Sequence, residues 1–455
     1  MEFTKRNFKG THVLVAGSGI SGIGAVKMLD RCNAVVTLYD GNESLKEEDI
    51  RKKLRGIEAK IVIGELTDEV IRDNELMIIS PGIPIDAPFV NKVRENGLAI
   101  WGEVELAYAN SYGKLAAITG TNGKTTTTSL VGEIMKNTYS DVYVVGNIGT
   151  SYADVALDTT ADTVTVAEIS SFQLESINDF KPDVSAVLNI TPDHLNRHYT
   201  MENYTAVKMS ITSNQDKDNV CVLNYEDDIL REQAGKVPAR VIYYSSRTEL
   251  TEGVCLNGDD IVLKLDGKEH FICKVNDMKL VGIHNVENVM AAAAISYFMG
   301  ASLEIIRSTI KEFNAVEHRI EYVTEKDGVI YYNDSKGTNT DASIKAIEAM
   351  SRPTVLIAGG YDKGCEFDEW VEKFDGTVKH LVLIGDTKEK IAATARKYGF
   401  NNISVTESLE DAVVAAKDIA GKGDAVLLSP ACASWDMFKS YEERGTMFKE
   451  FVRNL

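Results

Sequence analysis

An apolar run from Leu115 to Thr119 leads into Gly120-Thr121-Asn122-Gly123-Lys124-Thr125-Thr126, and a helical pattern follows from about Lys124 to Lys136. Strand, glycine loop and helix in that order constrain the chain more than any other feature. The loop must leave the carboxyl edge of a sheet, and the helix must run back across the sheet's face. Backbone N–H groups at the helix start and the positive end of its dipole then point at one place, which suits phosphate oxygens. Lys124 adds a mobile positive charge, and Thr125 offers a hydroxyl to magnesium. The general pattern has another glycine five residues before Gly123, where this chain has Ile118, so the loop is irregular. A plain glycine turn at a helix start is the alternative.

The same alternation extends both ways. HVLVAG, a helical stretch Ser21 to Asp30, AVVTLYD, KIVIG and LMIISPG precede the loop, while VYVVGN, TVTVAEIS and VSAVLNIT follow it. From Arg240 to Leu280 the pattern becomes short alternating strands with NGDD and LDGK turns, which reads as antiparallel hairpins inserted in the central domain. A third series starts near Arg319 with IEYV and VIYYND and continues through PTVLIAGG, HLVLIGD, NISVTE and AVLLSPA. At 455 residues, and roughly 150 per domain, about three domains are expected. The predicted fold class is α/β. A Rossmann-like domain spans 1–101, a P-loop ATPase-like domain with the antiparallel insertion spans 102–314, and a second Rossmann-like domain spans 315–455.

A net charge of −19 excludes a surface that attracts nucleic acid or anionic lipid as a whole, so an anionic ligand must be met by local donors. The six cysteines, Cys32, Cys221, Cys255, Cys273, Cys365 and Cys432, lack CxxC spacing and read as reduced thiols. The basic N-terminus runs into Gly17-Ser18-Gly19 rather than a cleavage site, and the apolar stretch at Met290 to Met299 is short of the roughly 20 residues a membrane span needs. A cytoplasmic protein is expected, with no membrane span.

Magnesium takes oxygen ligands, so carboxylates are expected at nearby strand ends. Glu168 closes TVTVAE and is either a strand-terminal cap or such a ligand. His194, in NITPDHLNRH, ends the next strand and is either structural or a second metal ligand. Near the N-terminus, Gly17 to Gly22 fits GxGxxG after a strand, and Asp40 ends the next strand. Taken alone, that pattern describes a dinucleotide site, or tight helix–sheet packing with no ligand.

ITGTNGKTT, GNIG (Gly146 to Gly149), EISSFQLE, NITPDHLNRH, the AVKMSI helix with Lys208, and HNVENVMAA occur in the order found in Mur ligases, a family the chain resembles over nearly its whole length. EHRIEYV, NDSKGTNTDA, GGYDKG and LSPACASWDMFKSYEERG resemble the member that adds D-glutamate. The resemblance implies ATP-dependent amide ligation: D-glutamate joined to UDP-N-acetylmuramoyl-L-alanine through an acyl phosphate, with ADP and phosphate released, in peptidoglycan synthesis. It implies two magnesium ions held by Thr125, Glu168, His194 and a carbamylated Lys208, with Lys124, His194 and Lys208 as the catalytic set. ATP falls to Gly120 through Thr126 with Asn288, Arg319 and Asp334. The uridine diphosphate substrate falls to Ser18, Ile20, Ser21, Asp40 and Gly82, with Asn147, Ser170 and Gln173. D-Glutamate falls to Lys336, Thr338, Lys363, Ser434 and Tyr441.

A reaction shared among three sheets predicts that the third domain rotates about a linker near Ala315, and a monomer is expected. Three rival readings remain. For a folylpolyglutamate synthetase, GSGISG and DSKGTN count against it. A nicotinamide dehydrogenase lacks a hydride site here and has no use for the phosphate loop. An ATP-gated binding protein would not need Lys124, Glu168, His194 and Lys208 together.

Overall fold

The computed structural model describes residues 7–147, 150–280, 282–314, 317–374 and 376–455. Gly149, which ends the GNIG motif, and Ala315, the expected hinge, lie outside the described residues. Two compact units form, one from residues up to 274 together with 287–310, the other from 275–286 together with 311–455.

The first unit contains two sheets. Strands Lys60–Ile63, Val35–Asp40, His12–Ala16, Leu76–Ile79 and Ala99–Gly102 lie side by side in that order, all parallel. Burial on both faces explains their unbroken apolar runs: Val13, Leu14 and Val15 have no solvent exposure. Strand order reverses between His12–Ala16 and Leu76–Ile79, and their carboxyl ends carry Gly17-Ser18 and Ser80-Pro81-Gly82, where a doubly wound sheet receives ligands.

Nine strands make the second sheet. Four of its parallel strands, Val184–Val187, Lys114–Thr119, Val164–Glu168 and Val142–Gly146, lie side by side in that order, the last at one edge of the sheet. The hairpins expected at the NGDD and LDGK turns are present as Gly253–Asn257, Asp260–Leu265 and Lys268–Lys274. They extend the other edge of the sheet and do not form a domain of their own, as expected of an insertion. The segment also opens differently from the expectation: Arg240–Ser245 pairs parallel with Val220–Asn224, because Asp228–Ala234 forms a crossover helix between them.

Helix Glu103–Asn110 leads from the first sheet into the second and buries two carboxyl groups. Glu105 accepts backbone N–H bonds from Asn178, Asp179 and Phe180 at 2.7, 2.9 and 3.0 Å. Glu103 accepts from Ser151 Oγ at 2.6 Å and Ala153 N at 2.7 Å.

In the second unit six strands run in the order Glu321–Lys326, Val329–Asn333, Ala425–Leu428, Thr354–Ala358, Val378–Leu383 and Ile403–Val405. Only the first pairing is antiparallel. One face packs on Ile347, Phe367 and Trp370, the other on Leu409, Val413, Phe448 and Val452. Among the described residues no helix is long and apolar enough to cross a membrane.

Candidate active site

Strand Lys114–Thr119 ends at Gly120, and helix Lys124–Lys136 begins four residues later. Gly123 has φ +83°, and a Cβ there would collide with Asn288 Oδ1, so only glycine serves. Asn189 sets the loop's path, since Thr121 N donates to its carbonyl oxygen at 2.9 Å and Asn122 N to its Oδ1 at 2.8 Å. Lys124 Nζ curls back onto the carbonyl oxygens of Gly120 and Thr121 at 2.9 and 2.8 Å. Thr125 and Thr126 are buried on the first helical turn.

Glu168 ends the neighbouring strand and is 1% exposed. Its Oε1 accepts from Asn147 Nδ2 at 2.8 Å, while its Oε2 is buried with no hydrogen-bond partner. An orphaned buried carboxylate oxygen is costly, and a cation is the partner that would relieve it. The donor set around the loop, a hydroxyl and a carboxylate, therefore fits magnesium.

Lys208 lies on helix Met201–Met209 and is 1% exposed. Its Nζ donates to Gly120 O at 2.8 Å and sits 4.7 Å from the centre of the Tyr204 ring. Burial, reinforced by the charge of Lys124, lowers its pKa to about 6. An amine that is neutral at physiological pH can react with carbon dioxide, so the residue fits a carbamate. His194 adopts φ +52° at the start of the short helix Leu195–His198, its side chain half exposed and its ring 4.8 Å from that of Phe172.

At the first sheet Ser18 donates to Asp40 Oδ2 through both N and Oγ, at 2.9 and 2.6 Å. Partial burial pushes the Asp40 carboxyl up, but these bonds and one from Asn42 N pull it below its ordinary value. Asp40 thus braces the GSGISG turn as a carboxylate. Gly22 packs so close to Gly17 O that a side chain there would collide with it. Ile20 is 86% exposed, and Ser21 and Gly82 also reach solvent. Ser170 and Gln173 brace each other in a capping box.

The second unit gathers its expected residues at the carboxyl ends of three adjacent strands. Asp334 follows Val329–Asn333, with Oδ2 accepting from Ser429 Oγ at 2.7 Å and Oδ1 from Ile320 N at 3.3 Å, and burial raises its pKa to about 7. Arg319 is close enough to Asp334 to oppose that rise. Lys336 Nζ lies 5.8 Å from the Tyr441 ring and Lys363 Nζ 5.1 Å from that of Trp435. Thr338 follows Lys336 in the same loop, and Ser434 is 2% exposed. Tyr361 N donates to Ala433 O at 2.9 Å, joining the loop of Lys363 to that of Ser434. Arg444, 1% exposed, joins the loop of Lys336 to that of Ser434. It donates to Ser335 Oγ and O at 3.0 and 2.9 Å and to the carbonyl oxygens of Cys432 and Ala433.

Asn189, Arg444 and Trp435 were not singled out from the sequence. Asn189 lies two residues past strand Val184–Val187 and beside the glycine loop, a position that could have marked it. Arg444 offers no such signal, because its side-chain partners lie 11 to 109 residues away along the chain.

Family models match most of the chain: "Mur ligase MurD-like, N-terminal domain" over 11–102, "Mur ligase middle domain" over 118–296, and "Mur ligase, glutamate ligase domain" over 318–432. The chain is 52% identical to the UDP-N-acetylmuramoylalanine--D-glutamate ligase of Lachnoclostridium phytofermentans, covering 99% of each chain. It is 47% identical to the ligase of the same name from Clostridioides difficile, covering 99% of this chain and all of that one. Among solved structures it is similar in fold to the UDP-N-acetylmuramate-alanine ligase of Thermotoga maritima, with TM-score 0.60 at 16% identity over 98% of this chain and 99% of that one. The MurF ligase of Thermotoga maritima, solved in complex with ADP, gives TM-score 0.60 at 16% identity over 99% and 98%.

Proposed function

The chain belongs to the Mur ligase family, and we propose that it joins D-glutamate to UDP-N-acetylmuramoyl-L-alanine at the expense of ATP, releasing ADP and phosphate. Mur ligases use ATP and magnesium. The observation that carries the reading in this chain is the buried group around Gly120, where Lys124 and Lys208 meet one carbonyl and Glu168 keeps an unpartnered oxygen.

Amide formation from a carboxylate and an amine is uphill in water, so the carboxylate must first be activated. The alanyl carboxylate of the nucleotide attacks the γ-phosphoryl group of ATP, and an acyl phosphate forms as ADP leaves. Lys124 and the N–H groups of Gly120 to Thr126 stabilise charge on the phosphoryl oxygens. Thr125, Glu168, His194 and Lys208, the last as a carbamate formed from its neutral amine and carbon dioxide with loss of a proton, would hold two magnesium ions, which supply further positive charge. The unprotonated amine of D-glutamate then attacks the acyl carbon and phosphate departs. His194 is our choice for orienting that amine or accepting its proton.

Ser18, Ile20, Ser21, Asp40 and Gly82, with Asn147, Ser170 and Gln173, take the uridine nucleotide in this reading. Asn288, Arg319 and Asp334 take the adenosine and phosphate groups of ATP. Lys336, Thr338, Lys363, Ser434 and Tyr441 take D-glutamate, whose two carboxylates need cations and hydroxyls. A monomer working in the cytoplasm, where nucleotide substrates are found, completes the proposal.

One assay tests it: phosphate release from ATP with UDP-N-acetylmuramoyl-L-alanine and, in turn, D-glutamate, L-glutamate or D-aspartate. Release with D-glutamate alone is expected. Release with none of the three would refute the assignment.

A further inference from the structure

The turn that presents His194 is held in an unusual shape. Helix Leu195–His198 is only one turn long and is bracketed by two non-glycine residues with positive φ, His194 at +52° and Tyr199 at +67°. Side chains seldom adopt such backbone conformations unless their surroundings hold them there. Buried His198 anchors the turn to Ser171 and Glu175, and two further restraints reach it from the loop that follows strand Leu76–Ile79.

Arg197 provides the inner one. Its Nη2 donates to the carbonyl oxygen of Ile83 at 2.7 Å, and Nε and Nη2 both bind the Glu175 carboxylate, with the two side chains only 12% and 8% exposed. The guanidinium lies 5.0 Å from the centre of the Phe172 ring, and Phe172 in turn packs against His194. Tyr199 provides the outer restraint, donating from its hydroxyl to Asp86 Oδ2 at 2.7 Å. Ile83 and Asp86 belong to the loop that includes Gly82, and a side chain added at Gly17 would meet Ser80 and Ile83 at once. The loop therefore touches the GSGISG turn on one side and the His194 turn on the other. Glu175, for its part, follows the capping box of Ser170 and Gln173 directly.

We propose that Arg197 and Tyr199 are positioning residues that join the 80–86 loop to the strained turn of His194, so that seating the uridine nucleotide and aligning His194 become one event. The proposal rests on the uridine reading of the first sheet given above. A loop shift at Gly82 is passed by the Ile83 carbonyl to Arg197, and by Phe172 to the imidazole. A nucleotide that orders the loop therefore also favours the arrangement of His194 that magnesium and ATP require, and linkage makes the effect reciprocal.

The test is calorimetric titration with UDP-N-acetylmuramoyl-L-alanine, in the absence and presence of magnesium and a non-hydrolysable ATP analogue, on the full chain and on Tyr199→Phe and Arg197→Lys. Tyr199→Phe removes one hydroxyl from a residue 67% exposed and leaves packing intact. Arg197→Lys keeps a charge for Glu175 but loses the fork that also reaches Ile83. For the unaltered chain, magnesium and analogue should tighten nucleotide binding by about fivefold or more. In each variant that enhancement should shrink towards unity, while affinity without analogue stays near the original. Turnover should show a raised KM for the nucleotide with the KM for D-glutamate unchanged, a split that general loosening would not produce. Variants that keep the full enhancement, or an unaltered chain that binds the nucleotide with no enhancement, would overturn the coupling and leave the substrate assignment standing. An unaltered chain that does not bind the nucleotide would overturn both.

Discussion

Lys208 and Lys124 donate to the same carbonyl oxygen, that of Gly120, at 2.8 and 2.9 Å. Burial disfavours the charge on Lys208, the charge of Lys124 beside it disfavours it further, and the Lys208 pKa falls to about 6. Supplied with ¹³C-bicarbonate, the protein should show a carbamate carbon signal that Lys208→Ala lacks. That variant should lose about 100-fold or more in kcat, the upper range for loss of a group supporting a metal site, and bicarbonate should not restore it. Full activity in Lys208→Ala would reject the carbamate.

Glu168→Gln separates the metal role from the fold. The amide keeps the shape and the bond with Asn147 but removes the charge from a buried, unpartnered oxygen. Unliganded protein should melt at the same temperature or higher, since an isolated buried charge is costly. The rise in melting temperature on adding magnesium and ADP should be lost. A variant still stabilised by magnesium and ADP would remove Glu168 from the metal site.

Asp334 makes stability depend on pH. Burial raises its folded pKa to about 7, far above the ordinary carboxyl value, so between about pH 4 and 7 the folded chain holds a proton that the unfolded chain has released. Its contribution is therefore full at the acid end of that window and is lost as pH rises through 7. Urea midpoints of nucleotide-free protein at pH 6 and pH 8 should differ less in Asp334→Asn than in the original chain. Equal differences in the two proteins would contradict this.

In the proposed reading D-glutamate is recognised by Lys336 and Lys363 of the second unit. Replacing Lys363 or Lys336 with Met removes one charge-assisted bond, worth about 1.5–3 kcal/mol, so the KM for D-glutamate should rise by about 10- to 100-fold, with the KM for ATP little changed. Steady-state titration of each substrate decides it, and a rise confined to ATP would move these lysines out of the amino-acid pocket.

Glu105 should matter for stability rather than chemistry. Glu105→Ala strands three backbone N–H groups, at Asn178, Asp179 and Phe180, and should lower stability by about 3 kcal/mol or more, seen as a reduced urea midpoint. An unchanged midpoint would show that water satisfies those amides.

What was legible from sequence was local. Apolar runs such as HVLVA and TVLIA announce buried parallel strands because both faces are covered, and Gly120 to Thr126 announces its loop because glycine and lysine fall at fixed spacing. Strands Ala99–Gly102 and Val220–Asn224 escaped notice, and the parallel pairing of Arg240–Ser245 was hidden by a short crossover helix. The contacts that shape the site are long-range. Lys208 meets Gly120 across 88 positions and Asn122 meets Asn189 across 67, and no periodicity encodes such pairs. The resemblance to Mur ligases pointed to Lys208, but only the fold gives the reason its amine is neutral.

Arg444 ties the loop of Lys336 to that of Ser434 chiefly through backbone oxygens, with Ser335 Oγ as a side-chain partner. Side chains along both loops other than that of Ser335 can therefore be exchanged without disturbing the tie, whereas a shift in either main chain must unseat a buried guanidinium. If these loops form the D-glutamate pocket as proposed, a variant that escapes a D-glutamate mimic by repositioning a loop must give up that tie. Escape by substituting a contacting side chain would weaken the natural amino acid as well, which leaves resistance few inexpensive routes.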